Sequence, residues 1–154
     1  MSTTSRPVRA TPEQVWSVLA DGWLYPLFVV GAARMRDVDE DWPAVGARLH
    51  HSVGSWPLML DDTTEVLEVE EGKRILLLAR AWPAGHAHVE ITLEPSPSEA
   101  GDQTLVTIVE NATAGPAALI PKAVQDPQLH VRNIEALRRL ALLVEGRAKE
   151  GRLR

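Results

Sequence analysis

The feature that most constrains the fold of this chain is a long amphipathic segment near its C-terminus, residues 126–147. Asp126 is a suitable N-cap, and Pro127 suits the first helical position, where its missing N–H costs nothing. Gly146 is a typical helix stop. An apolar stripe recurs at three- and four-residue intervals, formed by His130, Ile134, Leu137, Ala141 and Val144, with Asn133 and Leu140 beside them. The pattern predicts one long terminal helix with a buried side.

The sequence before this helix is typical of strands separated by turn residues. Predicted strands cover residues 6–10, 32–38, 47–53, 57–69, 74–82, 86–94 and 104–111. Short connections containing glycine, proline or aspartate favour antiparallel neighbours. A sheet with one apolar face and a long helix can bury both surfaces if the sheet curls around the helix. We therefore predict an α+β fold.

Two short helices are predicted between the first and second strands. Thr11 is a suitable cap before Pro12, and the next residues supply a buried side before Gly22 ends the helix. The apolar stretch 23–30 is interrupted by Pro26, which would break a central strand ladder, so it is predicted as a short helix or turn across one end of the sheet.

Composition excludes several classes of function. The 154-residue chain has no cysteine, which excludes disulfides and thiolate chemistry. Its net charge of −5 argues against a general nucleic-acid binder. Residues 1–10 lack the apolar core of a secretory signal, and no segment has the length of a membrane span. We expect a soluble, cytoplasmic protein without stable membrane insertion.

Five short segments together resemble the START-like (SRPBCC) superfamily, and more narrowly its bacterial polyketide cyclase/dehydrase-like branch. They are PEQVW at 12–16, WPAVG at 42–46, LHHSVG at 49–54, TEVLE at 64–68 and RNIEAL at 132–137. The resemblance implies a single domain over residues 1–154 with a helix-grip fold: a curved antiparallel sheet around the C-terminal helix, enclosing an apolar cavity. Members include ligand carriers, hormone receptors, aromatic polyketide cyclases and regulatory modules, so the fold alone selects no chemistry.

Strand alternation draws attention to one histidine and two carboxylates. His51 shares a face with Leu49 and Val53, and Glu65 shares one with Leu67 and Val69, so both polar residues are predicted on predominantly apolar faces.

Near an enclosed apolar space, His51 and Glu65 could act as a general acid–base pair. They could equally satisfy one another or a buried backbone group. Glu110 would need a partner if its ambiguous register turned it inward.

The remaining site predictions concern ligand contact. The candidates are Trp23, Trp56, Leu77, Trp82, Val89, Ile91, Glu110, His130, Ile134 and Leu137. The tryptophans suit planar apolar ligands but also fill cores. The five histidines do not have the spacing of a metal site, and no phosphate loop or dinucleotide fingerprint is present, so we predict neither metal nor cofactor. The segment 111–121, with an apolar stretch at 117–120, is predicted as a flap over the cavity mouth, or as an ordinary linker between strand and helix.

Three functions remain open at this level. The first is a carrier or sensor that binds a hydrophobic or aromatic small molecule, lipid-like or polyketide-like, in an internal cavity. The second is a cyclase or dehydratase using His51 and Glu65 for proton transfer, with shape holding the substrate in a productive pose. The third is a protein-interaction module with a collapsed cavity. The expected partner is a small molecule and not a nucleic acid, and a homodimer is left open.

Overall fold

The fold is one antiparallel sheet packed against a long C-terminal helix. The computed structural model describes residues 1–55, 57–81, 83, 85–119 and 121–152. The strands are β1 Ser2–Val8, β2 Ala32–Val38, β3 Arg48–Ser55, β4 Leu58–Glu70, β5 Arg74–Ala81, β6 Gly85–Pro95 and β7 Thr104–Ala114. The helices are α1 Pro12–Leu19, α2 Tyr25–Phe28, α3 Pro116–Leu119 and α4 Lys122–Arg152. The seven strands follow the order β1-β7-β6-β5-β4-β3-β2, so the predicted helix-grip architecture is confirmed.

Strand β1 begins earlier than the predicted 6–10. It pairs with β7 from Ser2 opposite Glu110 to Val8 opposite Thr104. Ser2, Thr4 and Val8 are buried, so polar residues that gave no strand signal occupy the inner face of this edge. The start of β1 is determined by its pairing with the long strand β7, and local sequence does not reveal that pairing.

The start of α1 matches the prediction from sequence. The Thr11 hydroxyl accepts a hydrogen bond from the Gln14 backbone N–H at 3.3 Å, and the Gln14 side-chain oxygen accepts from the Thr11 N–H at 2.9 Å. This reciprocal pair is a capping box. A 3₁₀ turn, Gly22–Leu24, then leads into α2, so the short elements predicted after β1 are confirmed.

Helix α4 is longer than predicted at both ends. Pro127 lies inside the helix, and Asp126 does not cap it, since its carboxylate instead pairs with the Met1 ammonium at 3.0 Å. Gly146 does not end the helix, because Val144 and Ala148 on either side of it are buried against the core. Tertiary packing outweighs the roughly 1 kcal/mol that a helical glycine costs. Within the described ranges, even α4 lacks an apolar stretch of the length that a bilayer requires.

The buried face of α4 is rotated relative to the predicted stripe. Ile134 is 46% exposed, and the exposed His130 contacts the Thr4 hydroxyl through Nδ1 at 3.0 Å. Both were predicted on the buried side, and both predictions are wrong. The buried positions are Asn133, Ala136, Leu137, Leu140, Ala141, Val144 and Ala148. The helix thus turns an asparagine toward the sheet and an isoleucine toward solvent.

Candidate ligand-binding cavity

A cavity of about 270 Å³ lies between the sheet, α2 and α4. Most of its wall is apolar. The described apolar residues lining it include Tyr25, Phe28, Met35, Leu49, Val53, Leu77, Ala79, Ala87, Val89, Ile91, Ile108, Ala112, Leu129 and Ala136. The interior therefore contains a hollow of the kind that the resemblance implied.

The cavity exists because side chains become smaller along the sheet. Neighbouring residues on β5, β6 and β7 form rows across the inner face: Ile75, Ile91 and Ile108, then Leu77, Val89 and Glu110, then Ala79, Ala87 and Ala112. The isoleucine row packs into the core, where its members are at most 5% exposed. Alanine side chains cannot reach the facing elements, so space remains at the third row.

His51 lies on β3 with its side chain directed into this space. It is buried and lines the cavity, as its place in the strand alternation predicted. Its Nε2 is 2.9 Å from the Thr64 hydroxyl, and its Nδ1 has no hydrogen-bond partner among the described residues. Burial holds the pKa of His51 below its ordinary value, which favours the neutral ring. Nδ1 therefore offers the cavity one lone pair or one N–H, depending on the tautomer.

Asn133 supplies a second polar group from α4. The residue is 4% exposed, lines the cavity, and carries an Nδ2 that is also unpaired within the part of the chain that the structure describes. Buried amide nitrogens almost always donate to an acceptor. The sequence placed Asn133 beside the apolar stripe but did not identify it as a site residue. An asparagine within the buried side of a helix was the available signal.

Glu110 faces inward, which resolves the ambiguous register of β7. Val106 and Ile108 precede it on the same buried face. Its side chain is 6% exposed and accepts a hydrogen bond from Arg132 on α4. Both residues line the cavity, so their ion pair connects β7 to α4 and forms part of the cavity wall. Arg132 is a further site residue that sequence reasoning did not identify.

Glu65 does not share the cavity with His51. It lies on the outer face of β4, where its Oε2 accepts from Arg48 Nε at 3.1 Å and from Arg80 Nη2 at 3.3 Å. The residues on either side of it, Thr64 and Val66, are the buried ones. The prediction that Glu65 faces the apolar interior is therefore wrong.

A β-bulge explains this error. Val66 pairs with Leu77 but Glu68 pairs with Leu76, so one extra residue interrupts the ladder between them. A bulge changes which alternate residues face inward. Val69 packs on the core after the bulge, and counting back from it by twos assigns the wrong face to Glu65.

The other predicted contact residues that the structure describes either line the cavity or lie outside it. Leu77, Val89 and Ile91 line the cavity. Leu137 is fully buried in the core but does not line the cavity, and Trp23 is 55% exposed in the turn before α2. His130 and Ile134 lie outside the cavity, as described above. Trp56 and Trp82 lie outside the described residues.

The predicted flap divides into the end of β7 and the short helix α3. Strand β7 continues to Ala114, beyond the predicted residue 111, and α3 follows Gly115. Of the described residues in 111–121, Ala112 lines the cavity, whereas Leu119 is 85% exposed. We find no three histidine, aspartate or glutamate side chains in the described ranges that are grouped to hold a metal ion.

Several solved structures share this fold. A conserved protein from Geobacillus kaustophilus superposes with a TM-score of 0.70 at 17% identity, covering 94% of each chain. A protein from Nitrosomonas europaea gives 0.68 at 16% identity, covering 96% of this chain and 95% of that one. DynU16, from the dynemicin biosynthetic locus, gives 0.61 at 22% identity over 94% of this chain and 46% of its own. At these identities the likeness shows the fold alone.

Sequence comparison identifies the family. No curated protein matches the sequence. The family model described as polyketide cyclase / dehydrase and lipid transport matches residues 2–145, which is nearly the whole chain. The chain therefore belongs to the polyketide cyclase/dehydrase and lipid transport family.

Proposed function

We propose that this protein binds a hydrophobic or aromatic small molecule in the cavity between the sheet and α4, as a carrier or sensor. The observation that carries the proposal is the composition of the cavity wall. Apolar side chains surround about 270 Å³ of space, and two buried polar atoms, His51 Nδ1 and Asn133 Nδ2, are unpaired within the described ranges. An apolar wall with a few oriented polar groups is typical of small-molecule sites.

The energetics of the wall favour an occupant. Removing apolar surface from water contributes roughly 25 cal/mol per Å². A buried polar atom without a partner costs about 1–3 kcal/mol, which a ligand group could recover by bonding to it. A ligand of suitable shape thus gains from both the apolar wall and the two polar atoms.

Binding is favoured over the cyclase alternative by the position of the predicted acid–base pair. His51 lies in the cavity, but Glu65 lies on the opposite face of the sheet and is held by Arg48 and Arg80. Among the described residues Glu65 does not line the cavity, so this arrangement does not supply the acid–base pair that the cyclase hypothesis requires. The family description names lipid transport beside cyclase and dehydrase activity, and the transport side suits a site without that pair.

Two measurements test the proposal. Organic extraction of the purified protein followed by mass spectrometry should yield a bound apolar compound. Titration with the uncharged probe N-phenyl-1-naphthylamine should give saturable fluorescence, displaced by an apolar ligand panel.

Ala87→Leu should lower the probe affinity at least about tenfold, because the added carbons enter the cavity. Ala44→Leu, in an exposed turn, is the matched control and should bind as the wild type does. Absence of a bound compound, together with no saturable probe binding, would refute the proposal.

A further inference from the structure

Both arginines in the described part of the cavity wall already pair with a carboxylate of the protein. Two arginines line the cavity among the described residues, Arg80 and Arg132. Arg80 donates to the Thr63 hydroxyl at 2.9 Å and to Glu65 at 3.3 Å. Arg132 pairs with Glu110. The positive charge of each guanidinium is therefore already paired, and neither one favours an anionic ligand.

Glu110 adds a negative charge close to any occupant. Its side chain is 6% exposed, compared with 40% for Arg132, so the carboxylate is the more deeply buried member of the pair. A ligand carboxylate placed beside it would lose its hydration and meet a like charge. His51 does not supply a compensating positive charge, since burial favours its neutral form.

The two unpaired polar atoms of the cavity wall favour an uncharged hydrogen-bonding group on the ligand over a carboxylate. Asn133 Nδ2 is a donor and requires an acceptor. His51 Nδ1 makes one further hydrogen bond, as donor or acceptor. A carbonyl, ester or hydroxyl oxygen on an apolar molecule can accept a hydrogen bond from Asn133 Nδ2 without bringing a charge into the cavity.

We propose that the ligand is an uncharged apolar molecule carrying a hydrogen-bond-accepting oxygen, and that the Glu110–Arg132 pair excludes carboxylates such as free fatty acids. This inference rests on the proposed function and specifies its ligand class. Asn133 binds the oxygen, His51 makes a second polar contact, and Glu110 neutralises Arg132, the α4 cation that lines the cavity among the described residues.

A pair of probes of nearly the same shape tests this assignment. 2-Acetylnaphthalene and 2-naphthoate differ in that a methyl group replaces one carboxylate oxygen, and the acid is ionised at about pH 7.5. In equilibrium dialysis the wild-type protein should bind the ketone at least about tenfold more tightly than the carboxylate. Equal or tighter binding of 2-naphthoate would overturn the inference.

Variants separate the role of the ion pair from that of the cavity. Glu110→Gln leaves Arg132 without its carboxylate and should raise the affinity for 2-naphthoate, relative to that for the ketone, at least about tenfold. The double variant E110Q/R132M removes both charges and should not gain naphthoate binding. Glu145 lies on the same helix, pairs with Arg9 and does not line the cavity. Glu145→Gln is therefore the matched control and should change neither affinity.

The outcomes distinguish this inference from the proposed function. If neither naphthalene compound binds and N-phenyl-1-naphthylamine also fails, the proposed function is wrong. If the neutral probe binds but Glu110→Gln does not increase naphthoate affinity relative to that for the ketone, the role of the ion pair is wrong. If Glu110→Gln does not fold, the double variant and the wild-type preference decide.

Discussion

Two alanines on α4 provide a direct test of whether the cavity is a real void. Ala136 lines the cavity, whereas Ala141 is buried in the core cluster and does not line it. The two are similarly buried, at 7% and 4% exposure. Replacing each with leucine adds the same three carbons to the same helix, and leucine is nearly as good a helix former as alanine. The surroundings of the added carbons are thus the main difference between the variants.

The two substitutions are expected to change the stability of the folded protein in opposite directions. At Ala136 the added carbons enter existing space, and burial contributes up to about 2.4 kcal/mol at about 0.8 kcal/mol per carbon. The lost rotamer freedom of leucine subtracts about 0.5–1 kcal/mol, which leaves a stabilisation of about 1–2 kcal/mol. At Ala141 the space is already filled, and overpacking costs about 1–3 kcal/mol.

Urea and thermal unfolding measure the difference. For a domain of this size 1 kcal/mol shifts Tm by roughly 2–4 °C, so Ala136→Leu should raise Tm by about 2–8 °C and Ala141→Leu should lower it by about 2–12 °C. Ala136→Leu should also weaken binding of the neutral probe. Comparable destabilisation by both substitutions would contradict this prediction, because it would show that the space beside Ala136 is filled.

Three further predictions concern single groups. Burial lowers the pKa of His51 in the folded state, so the unfolded chain protonates this ring more readily and the free energy of unfolding falls as pH drops below about 6.5. In urea denaturation measured across this pH range, His51→Gln should reduce the fall, and an unchanged pH dependence would contradict the assignment to His51. Arg132→Met should cost about 2–4 kcal/mol in urea because it leaves buried Glu110 unpaired, and a second substitution, Glu110→Gln, should recover part of the loss, whereas simple additivity would deny the coupling. Thr11→Ala should cost about 1 kcal/mol through loss of the α1 cap; Thr11→Ser should cost less, and equal losses would exclude the hydroxyl as the cause.

Local rules in the sequence were sufficient for most elements. The Thr11 cap, the strand at 32–38 and the terminal helix all follow from short-range physics: side-chain capping, alternation and helical periodicity. His51 was placed correctly because the pairing of β3 with β4 is regular around it. Where the ladder is uninterrupted, alternation is enough to tell the inner face from the outer one.

The errors occurred where distant parts of the chain decide. The bulge in β4 reversed the face assigned to Glu65. The rotation of α4 exposed His130 and Ile134, because the sheet and α2 determine which side of the helix is buried. Both effects depend on partners far away in sequence, so a local pattern could not reveal them.

Most elements, their order and the family could thus be predicted from the chain, since these depend on local propensity and on patterns spread along its whole length. The cavity and its polar groups depend on how the elements pack. A void depends on which side chains are too short to meet across the interior, and the row Ala79, Ala87 and Ala112 lines the cavity for this reason. The pairing of Glu110 with Arg132 likewise depends on how the helix lies against the sheet.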